Sequence, residues 1–175
     1  MKKSDELEKN AAIRIAELMA CCARTSPKTR GIDNIEAVLI DSPTERDKLI
    51  CKMKEISKTE SRPSFERDAN SIGSSPAILI IGVKANPAGL NCGFCGFPTC
   101  EELRKNKGIC SFNSVDLGIA ATSAIETASR LHADNRIMYS IGRAALDLRL
   151  FTSEVKQALG IPLSITGKNP FFDRK

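Results

Sequence analysis

The sequence predicts one α/β layered domain over residues 1–175, with a short cysteine-rich segment inserted at residues 85–113. Three observations lead there. Pro76–Lys84 (Pro-Ala-Ile-Leu-Ile-Ile-Gly-Val-Lys) is a continuous apolar run, the pattern of a strand covered on both faces. Stretches with helical apolar spacing lie before and after it, so strands and helices interleave. The chain has 175 residues, 42% hydrophobic and 27% charged, an ordinary single-domain composition that excludes wholesale disorder.

Taken in order, Ser4–Cys22 reads as an amphipathic helix whose expected buried stripe is Leu7, Ala11, Ile15, Leu18 and Cys22. Cys21 and Cys22 are expected to pack as small hydrophobes. Pro27 stops this helix within the basic, turn-rich stretch Arg24–Gly31. Glu36–Asp41 reads as a short buried strand. Ser42-Pro43-Thr44-Glu45 then places Ser at N-cap, Pro at N1 and Glu at N3, starting a helix to about Lys58 that buries Leu49, Met53 and Ile56, with Cys51 nearby. Residues 61–75 are polar and predict a short helix between loops. Val115–Leu131 is rich in Ala, Ile and Leu and predicts a buried helix. Asp134 to about Leu150 predicts a second, with Ile137, Ile141, Ala144, Ala145 and Leu148 on one side. Gly160–Ile165 predicts a last short strand, and Gly167–Lys175 a polar, aromatic tail.

Composition narrows the function. The net charge of +5 is spread along the chain, and with one Tyr and no Trp a nucleic-acid stacking platform has no basis. The longest apolar stretch, Ala77–Val83, is far short of a membrane span, so no membrane role is expected. Met-Lys-Lys is followed by Asp5, Glu6 and Glu8 where a signal peptide needs an apolar run, so a soluble, cytoplasmic protein is expected. In that setting the seven cysteines read as thiols or metal ligands, not disulfides. His132, the only histidine, is expected to cap a helix or lie on the surface. Tyr139 is expected to pack with its hydroxyl satisfied, and Asp116 to complement a helix dipole. No Gly-rich phosphate loop, Ser-His-Asp set or carboxylate cluster is visible, which leaves a hydrolase nothing to work with.

Four of the seven cysteines fall within nineteen residues, as Cys92-x2-Cys95-x4-Cys100-x9-Cys110. Two cysteines three apart in a Gly-rich turn bring both thiolates to one metal or cluster edge. Gly93 and Gly96 let backbone N–H groups turn inward and donate to sulfur, and Arg104, Lys105 and Lys107 offset the negative charge of four thiolates. Structural zinc favours two C-x2-C knuckles ~12–20 residues apart. A three-cysteine loop with a distal fourth is how cubane clusters are usually held. The spacing therefore favours a [4Fe-4S] cluster, with zinc as the alternative.

The stretch Cys-Gly-Phe-Cys-Gly-Phe-Pro-Thr-Cys resembles the compact [4Fe-4S] domains of electron-transfer subunits and corrinoid iron–sulfur proteins. Cys92, Cys95 and Cys100 map directly, while Cys110 arrives earlier than the usual fourth ligand. Over nearly the whole chain, Ala-Arg-Thr-Ser-Pro-Lys-Thr-Arg-Gly-Ile-Asp-Asn, Gly-Leu-Asn-Cys-Gly-Phe-Cys-Gly-Phe, Val-Asp-Leu-Gly-Ile-Ala, Asp-Asn-Arg-Ile-Met-Tyr-Ser-Ile-Gly and Gly-Lys-Asn-Pro-Phe-Phe-Asp-Arg resemble the ferredoxin-domain proteins of anaerobic bacteria and archaea. The order of elements outside the cysteines, with Asp116–Ala120 on its helix, is similar to flavin nitroreductases. That likeness implies a nitroreductase-like α/β (α+β) sandwich and FMN, with Arg24, Thr25, Ser26, Lys28 and Arg174 at the flavin phosphate and ribityl chain. The Asn-x-Gln-Pro that follows the Ser-Pro loop in that family is absent. Together these imply electron transfer or redox chemistry, with a redox protein or small molecule as partner and homodimerisation open. The competing reading is a non-catalytic, partner-binding module with structural zinc.

Overall fold

A computed structural model describes residues 1–172. Its centre is a four-stranded antiparallel sheet in the order β1-β2-β4-β3, with β1 at Ile35–Ile40, β2 at Ala77–Lys84, β3 at Asp134–Asn135 and β4 at Val155–Ser164. The β2 strand is central, and Ala77–Val83 are all buried, as expected of a run apolar on both faces. Its alternate residues feed two cores. Ala77, Leu79, Ile81 and Val83 face α1 (Ser4–Thr25) and α5 (Ser111–Arg130). Ile78 and Ile80 face α2 (Pro43–Thr59), α3 (Pro63–Ser71) and α6 (Tyr139–Asp147). A sixth helix, α4 (Cys100–Lys105), belongs to the cysteine segment.

Local chemistry sets the boundaries. Ser42 caps α2 by accepting from the Glu45 N–H at 3.2 Å, with Pro43 at the first turn. Leu49, Met53 and Ile56 are buried beneath it. Two glycines let α6 lie directly on β4: a Cβ at Gly142 would occupy the place of the Ala158 carbonyl, and one at Gly160 would strike Ile141. His132 is exposed and ends α5 in the left-handed region at φ 54°.

Five expectations are corrected. The buried stripe of α1 is Ala12, Ile15, Ala16, Met19 and Ala23, and Leu7 and Leu18 are about half exposed. The reason is the partner: α1 packs on Ala120, Ala121, Ala124 and Ala128 of α5, and two alanine faces approach closely where leucines would hold them apart. Cys21 and Cys51 are exposed and Cys22 half-buried, so they are not core residues. The α5 helix is buried on one side only, with Val115 and Ile119 open to solvent. The helix expected from Asp134 starts at Tyr139, because Asp134 and Asn135 pair with Ser164 and Leu163 along the free edge of β4. The last strand runs over ten residues; polar Lys156 and Gln157 disguise its first half, which pairs along β2.

Candidate functional site

The cysteine segment leaves the body at the end of β2 and returns at the start of α5. Asn113, only 1% exposed, ties the two ends together: its side-chain amide donates to Lys84 O and Asn86 O, both at 2.8 Å. Beyond this neck the chain turns through Asn91, Gly93 and Gly96, all at positive φ, and Gly96 N–H donates back to Gly93 O at 2.9 Å. Thr99 caps α4 by accepting from Glu102 N–H. The segment has its own small core of Ala88, Leu103 and Cys110, packed by Cys95, Phe97 and Phe112. It is therefore a folded unit and not a loose loop.

That folding brings Cys92, Cys95, Cys100 and Cys110 to one recess, walled by Phe94, Phe97 and Phe112. Cys92 is exposed, Cys95 and Cys100 are half-buried, and Cys110 is buried. Cys110 is the N-cap of the twenty-residue α5. The Cys100 thiol is held below the ordinary cysteine range, chiefly by hydrogen bonding from the backbone of Asn91. The backbone of Gly89 and Leu90 and the charge of Arg104 add to this against the opposing effect of burial. Among the described residues, no group of three or more Cys, His, Asp or Glu is poised to hold a metal ion as it stands. What the recess does offer is four sulfurs, N–H groups turned toward one of them, and apolar walls. That is the donor chemistry of a thiolate-bound cluster.

Arg24, Thr25, Ser26 and Lys28 lie together at the C-terminal end of α1, but their polar groups are engaged by neighbours within the chain. Arg24 pairs with Asp33. The Thr25 and Ser26 hydroxyls donate to carbonyls of the last turn of α1, Thr25 to Cys21 O at 3.1 Å and Ser26 to Ala23 O at 2.8 Å. The Lys28 ammonium donates to Ser26 O at 2.9 Å and to Arg24 O, complementing the negative end of the helix. Thr25 and Ser26 also border a groove of about 730 Å³ between α1 and α5, lined by Cys22, Val115, Ile119 and Glu126 as well. Arg24 and Lys28 are not among its walls. Arg174 lies outside the described residues.

Three residues carry contacts that sequence reasoning missed. Asp116, 3% exposed, does not merely face a helix dipole: its carboxylate accepts from Thr29 N–H at 3.1 Å to each oxygen and from Thr29 Oγ1 at 2.9 Å. Next to Thr29, Arg30 Nη1 donates to Ala88 O at 2.8 Å. The α1–β1 loop is thereby fastened to α5 on one side and to the cysteine segment on the other. The signal was present only as two conspicuous stretches, one holding Thr29–Arg30 and one Asp116, with nothing to say that they meet.

Residues 106–174 match a family described as uncharacterised proteins containing a ferredoxin domain. The match takes in Cys110 and the α5-to-tail region. A protein of Archaeoglobus fulgidus is 44% identical over 176 residues, spanning 95% of this chain and 94% of its own length. Among solved structures, a nitroreductase with bound FMN from Desulfitobacterium hafniense DCB-2 superposes with a TM-score of 0.62 at 12% identity, covering 96% of this chain and 80% of that one. A BluB-like flavoprotein from Clostridium difficile 630 gives 0.60 at 19% identity, covering 97% and 84%. The body of the molecule therefore has the nitroreductase fold.

Proposed function

The chain belongs to the family of proteins containing a ferredoxin domain, and from that premise we propose that it is an iron–sulfur redox protein whose Cys92, Cys95, Cys100 and Cys110 hold a [4Fe-4S] cluster. The observation that carries the reading is the gathering of these four sulfurs, and no other cysteine, around one recess. When bound, such a cluster supplies one-electron transfer. The chain's own residues serve that chemistry in separable ways. The turns at Gly93 and Gly96 bring Cys92 and Cys95 to the same side of the segment. The backbone around Asn91 favours thiolate at Cys100, and Cys110 stands at the N-cap of α5. Phe94 is 61% exposed and stacks against Phe112 at 5.3 Å between centroids, putting an apolar edge where a redox partner would dock.

A flavin is the second half of the reading. The groove between α1 and α5 is large enough for a cofactor, and a fold neighbour carries FMN. A flavin there would link the cluster's single electrons to two-electron chemistry on a small molecule. The outer face of α5, with Val115 and Ile119 exposed, supports a homodimer across that groove. The chain exposes 9572 Å² where a folded 19.0 kDa monomer is expected to expose about 8,400 Å². That surplus is enough for the ~800 Å² per partner of a standard interface. Exposed Cys21 and Cys51 suit a reducing, cytoplasmic setting. The partner-binding alternative holds zinc at the same four cysteines.

Anaerobic isolation decides between them. The cluster reading expects about four iron and four acid-labile sulfide per chain and a brown protein absorbing near ~400 nm. Stoichiometric zinc without sulfide, after expression with adequate iron, would overturn it. Calorimetric titration with FMN tests the flavin separately, and no binding up to ~1 mM would remove it.

A further inference from the structure

Arg30 reaches out of the α1–β1 loop to a single peptide unit of the cysteine segment. Its Nη1 donates to Ala88 O at 2.8 Å, and the same nitrogen lies 3.3 Å from where a Cβ on Gly89 would stand. The Ala88 carbonyl and the Gly89 N–H are the two ends of one amide. Ala88 lines the cysteine recess together with Cys92, Cys95, Cys100 and Cys110. A guanidinium on its carbonyl oxygen places a positive charge against the wall of that recess. The local backbone is bent to keep Arg30 there. Arg30 itself sits at φ 58°, a left-handed conformation that side chains other than glycine enter at a cost, and Gly31 follows at φ 66°. The three hydrogen bonds from Thr29 to buried Asp116 hold that bend in place.

We propose that Arg30 is a positioning residue for the cysteine recess: held on the Ala88 carbonyl, it sets positive charge behind the wall of the recess and raises the reduction potential of the group bound there. The inference rests on the [4Fe-4S] reading above. Reduction adds negative charge to the bound group, so a positive charge held nearby favours the reduced state.

The test is an anaerobic spectroelectrochemical titration of the cluster-loaded protein, wild type against Arg30→Gln, Arg30→Met and Arg30→Lys, with iron and sulfide measured for each. Arg130→Gln, which removes an exposed charge at the far end of α5, is the control. The expected result is full loading in every variant and a lowered midpoint for Gln and Met. At the wild-type midpoint the oxidised-to-reduced ratio should rise about threefold or more, which is about 28 mV at 59 mV per tenfold for one electron. Arg30→Lys should stay nearer wild type, and Arg130→Gln should move less than Arg30→Gln. An unchanged midpoint in fully loaded Arg30→Gln, or an equal shift in Arg130→Gln, overturns the proposal. So does failure of Arg30→Gln to load, which would make Arg30 a structural tie alone. If wild-type protein takes up no iron and sulfide, the cluster reading itself has failed, and the metal analysis shows that before any potential is measured.

Discussion

Replacing Asp116 with Ala should cost the fold about 2–3 kcal/mol. The figure follows from what the carboxylate does. It is 3% exposed and accepts three contacts from Thr29, at 3.1, 3.1 and 2.9 Å. Hydrogen bonds to a charged acceptor are worth about 1.5–3 kcal/mol each. Two of the contacts share one N–H, and Thr29 is only half-buried, so water can replace part of what is lost. For a chain of 175 residues, at ~2–4 °C per kcal/mol, this lowers the melting temperature by about 5–10 °C. Urea unfolding of the metal-free chain followed by circular dichroism measures it, because no cluster contributes to that signal. Thr29→Val removes the hydroxyl and keeps the shape. In the double-mutant cycle, Thr29→Val and Asp116→Ala should couple by about 1 kcal/mol. If their effects add to within ~0.3 kcal/mol, the Thr29 hydroxyl contributes nothing to the tie.

Cys92, Cys95, Cys100 and Cys110, changed singly to Ser, should each lose the chromophore and bound iron, whereas Cys21→Ala and Cys51→Ala should keep both; retention in Cys110→Ser would mean that the fourth ligand lies elsewhere. Ile119→Glu places a charge on the open face of α5 and should convert a dimer to a monomer in sedimentation equilibrium; a wild type that is already monomeric refutes the interface. Burial pushes the Glu36 carboxyl up, but hydrogen bonds from the Thr152 side chain and backbone and from Lys84 outweigh it and hold the group below the usual carboxylate range. Its folded pKa is thus below its unfolded one, so its contribution is complete above the unfolded value of ~4.3 and is lost as pH falls through the folded value. Glu36→Gln should therefore be less stable than wild type at pH 7, by under about 1 kcal/mol after solvent screening, and equal to it at about pH 2. Equal deficits at both pH values in urea titrations would refute this.

What was legible in the sequence was what depends on near neighbours. Pro76–Lys84 declared a central strand because nothing but a doubly covered position accepts so many consecutive apolar side chains, and Ser42-Pro43 marked the start of α2 because capping is settled within four residues. The cysteine spacing likewise singled out residues that line one recess. The α1 stripe was misread because hydrophobicity ranks Leu above Ala, while the α1–α5 contact selects for smallness. The break between β3 and α6 was invisible because it is the edge of β4, some thirty residues later, that draws Asp134 and Asn135 into the sheet. Thr29 and Asp116 are 87 residues apart, and two common polar residues at that distance carry no mark of being partners.

The neck at Asn113 has a bearing on how such a chain can change over time. One side-chain amide touches both Lys84 O and Asn86 O, so the strand going out and the helix coming back are neighbours before any of the intervening residues are counted. Closing a longer or shorter excursion onto the same anchor costs only about 0.6 kcal/mol per doubling of its length. The sheet is therefore indifferent to what hangs between its second strand and its fifth helix. A lineage could trim the excursion to a plain turn, enlarge it, or exchange it for another ligand-bearing appendage, while selection on the body continued undisturbed.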